Sequence, residues 1–218
     1  MAIIAANNSG IEFKKILKIL PRITSVEGRL EKIGKIHNNS KVILDYAHTP
    51  AALESALSNL KEQFPFNKIN LIFGCGGDRD FKKRSLMGKI AEKYSNEIYL
   101  TDDNPRNEKP FEIRNEIKKG IKNKRIREIP DRKKAIQEAV KNLKTGDILL
   151  VAGKGHEKIQ DYGKKKTFFS DQKVILNSIR AKNKFLSKNI KLNIIQEQSQ
   201  LNLSNKIQIK DASINSKL

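Results

Sequence analysis

The stretch Val42-Ile43-Leu44-Asp45-Tyr46-Ala47-His48-Thr49-Pro50-Ala51-Ala52-Leu53 decides the fold. Its opening is a short β-rich apolar run, which ends at Asp45 in a cluster of polar and turn-forming residues. Thr49 then stands where a helix N-cap belongs, and Pro50 at the first helical position, where the missing N–H is an orphan in any case. Leu53, Ala56, Leu57, Leu60 and Phe64 follow at i, i+3, i+4, i+7 and i+11, so one face of the helix is apolar. A strand that passes through a polar turn into an amphipathic helix is the repeating unit of a parallel sheet wrapped by helices.

Further strands read at Asn70–Phe73, Glu97–Thr101 and Ile148–Ala152. A helix is expected from about Arg132 to Lys144, capped by Asp131, with Ala135, Ile136, Ala139, Val140 and Leu143 as its buried face and Gly146 just past its end. Others are expected near Arg84–Tyr94, Pro110–Ile121 and Asp171–Lys182. The fold class is therefore α/β, a Rossmann-like, mainly parallel sheet flanked by helices. Upstream, Phe13, Ile16, Leu17 and Leu20 keep a helical period that Pro21 stops, followed by a linker at Ser25–Gly28. That segment is too small to be a domain, and its apolar face has no evident partner in the chain. Downstream, Asn183–Leu218 is rich in Lys, Asn, Ser, Gln and Ile without a stable period, and reads as a frayed or disordered tail. The division is 1–25, a domain over 26–182, and a tail over 183–218.

Composition narrows the function. Lys and Arg number 44 against 24 Asp and Glu, a formal net charge of +20, which suits anionic partners. The lysines are spread along the whole chain, only Lys164-Lys165-Lys166 forms a tight run, and few aromatics interleave with them, so a nucleic-acid role ranks last. Cys75 is the single cysteine, and His37, His48 and His156 stand far apart, so no disulfide framework or zinc spacing is present. No apolar run approaches the ~20 residues of a membrane span, and the first residues lack the basic region of a signal peptide. The expectation is a cytoplasmic protein without membrane contact.

Ligands of open α/β sheets gather beyond the carboxyl ends of the strands. Four polar motifs of this chain fall there: Asp45–Pro50, Gly74–Asp80, Asp102–Arg106 and Gly153–Glu157. Any one of them could be ordinary turn chemistry, but four in register point to one crevice. Arg79 and Arg106 could each take a carboxylate in a two-pronged grip, and Glu157 could accept an ammonium, so a zwitterionic amino acid suits the set. The bland alternative pairs Arg106 and Glu157 with each other, or Arg106 with Asp102 and Asp103. His48 is open to either a phosphate- or carboxylate-orienting role or a structural one. Cys75, in a glycine turn, reads as a small filler. No G-x-x-x-x-G-K-[ST] sequence occurs, so the chain shows no triphosphate cradle of its own.

Val26–Glu31, Asp45–Pro50, Gly76–Asp80, Thr101–Arg106 with Glu108, and Gly153–Glu157 together resemble, in order and spacing, the Mur ligases, and most nearly those that add meso-diaminopimelate to UDP-N-acetylmuramoyl-L-alanyl-D-glutamate in peptidoglycan synthesis. The similarity covers about Ser9 to Ile179. It implies that Arg79, Asp103, Asn104, Pro105, Arg106, Gly153 and Glu157 bind diaminopimelate, and that Arg29, Asp45 and His48 face the nucleotide. It implies ATP and Mg²⁺ as the cofactors of the full-length enzyme, with ATP phosphorylating the D-glutamate side chain and the diaminopimelate amine attacking the acyl phosphate. By the same resemblance, 1–25 is the end of a central domain and 26–182 the C-terminal domain. The N-terminal domain that grips the UDP-sugar and most of the central one have no counterpart here. Gln172 stands where an arginine is common. A fragment, half of a split enzyme with a companion chain, and a non-catalytic amino-acid- or partner-binding module that reuses the domain are the readings left open.

Overall fold

A computed structural model of the protein describes residues 2–22, 26–122 and 126–191. Ser25 of the expected linker and residues 192–218 of the expected tail lie outside the described residues.

The chain begins with two short helices, α1 (Ala2–Asn8) and α2 (Phe13–Ile19), and a turn of 3₁₀ helix at Leu20–Arg22. The strands that follow are β1 (Glu31–Lys32), β2 (Lys41–Asp45), β3 (Ile69–Phe73), β4 (Glu97–Leu100), β5 (Ile126–Glu128) and β6 (Ile148–Ala152). They form one sheet in the order β1-β2-β6-β3-β4-β5. Every neighbouring pair is parallel except β1 with β2, which gives the sheet an antiparallel edge.

The helices α3 (Pro50–Gln63), α4 (Lys82–Tyr94) and α5 (Pro110–Lys118) pack on one face of the sheet. Helix α6 (Arg132–Asn142) and a final helix, α7, over 171–191 cover the other. Alternation along the strands feeds the two cores: Ile43, Leu71 and Leu150 enter the first, while Val42, Leu44, Ile72 and Val151 enter the second. Burial on both faces explains why the strands read as unbroken apolar runs. The Thr49 hydroxyl accepts the Ala52 amide at 3.3 Å and the Asp131 carboxylate accepts the Lys134 amide at 3.0 Å, so both expected caps are made.

Several elements differ from expectation. Strands β1 and β5, with two and three residues, are too short to carry a period. A hairpin of β7 (Ile159–Tyr162) and β8 (Lys165–Phe168), antiparallel and separate from the main sheet, fills what read as loop. Its residues are mostly exposed or half-buried, so hydrophobicity does not mark it. Finally, α7 runs nine residues into the expected tail, where the Asn183 side chain accepts the His37 amide at 2.9 Å and donates to the Lys35 carbonyl at 2.9 Å. Those bonds anchor a stretch whose sequence alone is a weak helix.

Candidate functional site

The sheet order turns back beside β6, with β3 on one side of it and β2 on the other. The loops after β2, β3, β4 and β6 meet there around an open crevice of about 490 Å³. Its lining brings together His48, Arg79, Asp103, Asn104, Arg106, Gly153 and Glu157, seven of the ten expected site residues. Pro105, Arg29 and Asp45 stand outside it.

The loops approach closely because glycine lets them. A Cβ on Gly77 would lie 1.9 Å from the Pro105 carbonyl oxygen, and one on Gly153 would lie 2.6 Å from Asp103 Oδ2, at a φ of +114°. Neither site tolerates a side chain. The Gly77 amide donates to the Asn104 carbonyl at 2.9 Å, and Arg106 Nη1 donates to the Gly77 carbonyl at 2.7 Å, locking the second and third motifs together. Arg106 itself has a φ of +52°, a conformation that costs a non-glycine residue roughly 1–3 kcal/mol. Its amide is held at 3.0 Å by the Asp161 carbonyl of the hairpin.

The charges are partitioned. Asp102 turns away from the crevice to the Arg114 guanidinium and the Tyr162 hydroxyl. Asp103 faces the crevice, buried, and among the described residues no protein group donates a hydrogen bond to its carboxylate. Burial pushes that carboxyl up, against the opposing pull of Arg132 and Lys154. Burial also pushes Glu157 up, but the ammonium of Lys154 at 3.0 Å, the Asn104 amide at 2.9 Å and the Tyr46 hydroxyl at 3.2 Å outweigh it and hold the carboxyl below its usual range. Arg106 makes no ion pair with Glu157, Asp102 or Asp103, and among the described residues Arg79 bonds only to the neighbouring Asp78 carbonyl, at 3.4 Å. The bland alternative of mutual pairing is therefore not what the chain adopts: two guanidinium groups and two carboxylates face the same space without neutralising each other.

Lys154 was not among the expected site residues. Its side chain is fully buried, and its ammonium donates to Asn104 Oδ1 at 2.9 Å, Glu157 Oε2 at 3.0 Å and the Ile159 carbonyl at 2.6 Å. With the Asp161 amide also on Asn104 Oδ1 at 3.1 Å, these bonds fix which way the Asn104 amide points. Arg84, equally buried, grips Glu108 with two bonds of 2.8 and 2.9 Å and reaches the Gly76 carbonyl at 3.2 Å, bracing the glycine loop from behind.

On the expected nucleotide side, Tyr46 is the centre. The Arg29 guanidinium lies 4.9 Å from its ring centroid, and the His48 and His156 rings pack at 4.6 and 5.4 Å. His48 Nδ1 lies 2.8 Å from the Tyr46 carbonyl oxygen. Both oxygens of Asp45 already accept backbone amides, from Leu30 and Ala47 at 2.7 Å each, so its evident work is to hold the Arg29 loop and its own turn. Cys75 is buried and its thiol is pushed up to about 12 by desolvation, in keeping with a filler.

The family model described as the Mur ligase glutamate ligase domain matches residues 28–155. A protein of Rickettsia felis named UDP-N-acetylmuramoyl-L-alanyl-D-glutamate--2,6-diaminopimelate ligase is 46% identical over 187 residues, covering 84% of this chain and 34% of that protein. A protein of the same name from Buchnera aphidicola subsp. Baizongia pistaciae is 50% identical over 169 residues, covering 77% and 33%. A solved structure of a ligase of that name superposes with a TM-score of 0.68 at 37% identity, over 83% of this chain and 37% of that one. The chain spans about a third of the length of the curated relatives it matches.

Proposed function

The chain belongs to the Mur ligase family, through its glutamate ligase domain, and on that premise we propose that it is the amino-acid-binding part of an ATP-dependent ligase that joins meso-diaminopimelate to UDP-N-acetylmuramoyl-L-alanyl-D-glutamate. The observation that carries the proposal is that Arg79, Arg106, Asp103 and Glu157 surround one crevice without pairing with one another, Glu157 being held instead by Lys154. A zwitterion completes this quartet. The carboxylate of one end of diaminopimelate pairs with Arg106 and Arg79, and the ammonium of the same end sits between Asp103 and Glu157. The other end is left with its amine directed out of the crevice, toward the activated carboxylate held by the rest of the ligase. Holding that amine in attack geometry can account for several kcal/mol of barrier lowering, on the order of 7 where alignment is close, without a covalent intermediate.

The same quartet supplies the discrimination. L-Lysine presents an ammonium at its distal end but no carboxylate, so its binding leaves Arg106 desolvated and unpaired, at a cost of about 1–3 kcal/mol or more. Asn104, Pro105 and Gly153 act by shape, as the clamp, the loop bend and the gap beside Asp103.

ATP and Mg²⁺ enter this proposal through the remainder of the enzyme. Among the described residues, no group of three or more His, Cys, Asp or Glu is placed to hold a metal ion, and the sequence has no triphosphate cradle. On the nucleotide side this chain offers Arg29 and His48, both exposed beside Tyr46. Residues 1–25 serve as the end of the central domain and 26–182 as the C-terminal domain. With ATP, Mg²⁺, the UDP-linked dipeptide and meso-diaminopimelate, the purified chain is expected to release no ADP. Adding the N-terminal and central portions of a related ligase as a separate polypeptide is expected to restore diaminopimelate-dependent release. Turnover by the chain alone contradicts the division of labour.

A further inference from the structure

At the end of β6, outside the lining of the crevice, lies a buried ion pair that the proposed reaction does not use. Arg132, the first residue of α6, and Asp171, the first residue of α7, both have fully buried side chains. Arg132 Nε and Nη2 donate to the two Asp171 oxygens at 2.8 and 2.7 Å, and Nη2 also donates to the Ala152 carbonyl at 2.9 Å. The guanidinium is thus bolted to the last residue of β6, next to Gly153, the residue whose missing side chain makes room for Asp103 Oδ2. Its remaining nitrogen, Nη1, is buried and has no hydrogen-bond partner, and among the described residues no protein group donates to the Asp103 carboxylate, which lines the crevice. A buried charge pair oriented by three hydrogen bonds, with one nitrogen of the guanidinium left over, is more than is needed to join two helices. Replacing such a pair by apolar residues is often neutral or stabilising.

We propose that Arg132, clamped by Asp171, is a positioning residue of the amino-acid site, its fixed charge standing behind the Asp103 carboxylate that receives the substrate's ammonium. The inference rests on the amino-acid reading of the crevice. A carboxylate that receives an ammonium has to be ionised, and a buried one pays for ionisation in lost hydration. The charged and titratable groups around Asp103 are Arg132 from α6, Lys154 and Glu157 from the loop after β6, Asp171 from α7, Tyr46 after β2, Cys75 after β3, and, across the crevice, Arg79 and Arg106. Arg132 and Lys154 favour the anion; Glu157 and Asp171 oppose it. Lys154 spends its three donors on Asn104, Glu157 and Ile159, whereas Arg132, although paired with Asp171, keeps one nitrogen, Nη1, without a hydrogen-bond partner.

The two members of the pair therefore act on Asp103 with opposite sign. Carboxyl-carbon NMR of aspartate-labelled protein, with the Asp103 signal assigned through Asp103→Asn, reads its titration without any ligand. Relative to the unaltered chain, Arg132→Met is expected to move that titration to higher pH by about one unit or more, and Asp171→Asn, which keeps the guanidinium but removes the competing charge, to lower pH. The acid limb of meso-diaminopimelate binding, followed by calorimetry, is expected to move the same way in each. Should Arg132→Met not fold, the downward shift in Asp171→Asn still decides, since a purely structural loss weakens binding at all pH without that shift. An Asp103 titration unmoved in Asp171→Asn overturns the inference. Titrations that move as stated in proteins that bind no diaminopimelate overturn instead the reading of the crevice.

Discussion

Lys154 and Arg106 divide the labour of the crevice at the level of single residues: one is buried to fix its neighbours, the other holds a strained backbone and bonds to carbonyls while pairing with no carboxylate. Lysine rarely enters a core, and Lys154 does so only because each of its protons has an acceptor. Lys154→Met keeps most of the volume and removes the three bonds. The Asn104 amide then loses its orientation and Glu157 its partner, so meso-diaminopimelate affinity is expected to fall about tenfold or more, as read by calorimetry, with the far-ultraviolet circular dichroism unchanged. The polar motifs themselves were legible in the sequence because they end strands. The braces behind them were less so, although a signal existed. Arg84 is in phase with Met87, Gly88 and Ala91, and Arg132 with Ala135, Ile136 and Ala139, at i, i+3, i+4 and i+7. An arginine on the apolar stripe of a helix has to be paired inside the fold, and here one pairs with Glu108 and the other with Asp171. What the period cannot give is the partner, since Asp171 lies 39 positions away.

At the scale of elements, strands β2, β3, β4 and β6 and helices α3 and α6 could be read because their apolar periods are long and their caps conventional. The hairpin of β7 and β8 could not. It packs little, and its worth lies in its bonds to the third motif: the Asp161 carbonyl receives the Arg106 amide, the Asp161 amide donates to Asn104 Oδ1, Gln160 Nε2 donates to the Asp103 carbonyl, and the Tyr162 hydroxyl donates to Asp102. Replacing 159–168 by a short Gly-Ser turn is expected to leave the main sheet intact and to release this loop. Hydrogen exchange is the measurement: amide protection at Arg106 should drop while that of Leu149 to Val151 persists. Simultaneous loss of protection in both places would show that the hairpin supports the whole domain. The continuation of α7 through Asn183 has the same cause of invisibility, because its anchor, the segment around Lys35 and His37, is almost 150 residues distant.

For the molecule as a whole, the charge surplus does not dictate the site, whose lining sets Arg79, Lys82, Lys83 and Arg106 against Asp80, Asp103 and Glu157. The acids set the pH response. Glu157, Glu108 and Glu128 are all held below the usual carboxyl range, Glu157 and Glu128 by basic partners that overcome burial and Glu108 chiefly by its bonds to Arg84. Their contribution to stability is complete above the unfolded value of about 4.3 and is lost as pH falls through the lower folded values. Asp102 and Asp103, raised by burial, act in the opposite sense and blunt the effect. Thermal melts are therefore expected to decline below about pH 4, less so in Glu157→Gln than in the parent. At the other end of the chain, Ile4, Phe13, Leu17 and Ile19 are exposed on α1 and α2, the surface that the proposed central domain would cover. No described helix is long and apolar enough to cross a membrane. The claim on which everything else depends is that the quartet recognises both charges at one end of diaminopimelate. Calorimetric titration of the unaltered chain with meso-diaminopimelate and with L-lysine tests it most directly. The account predicts saturable binding of diaminopimelate, at least tenfold weaker binding of lysine, and loss of that preference in Arg106→Ala. Equal binding of the two amino acids, or of neither, would contradict it.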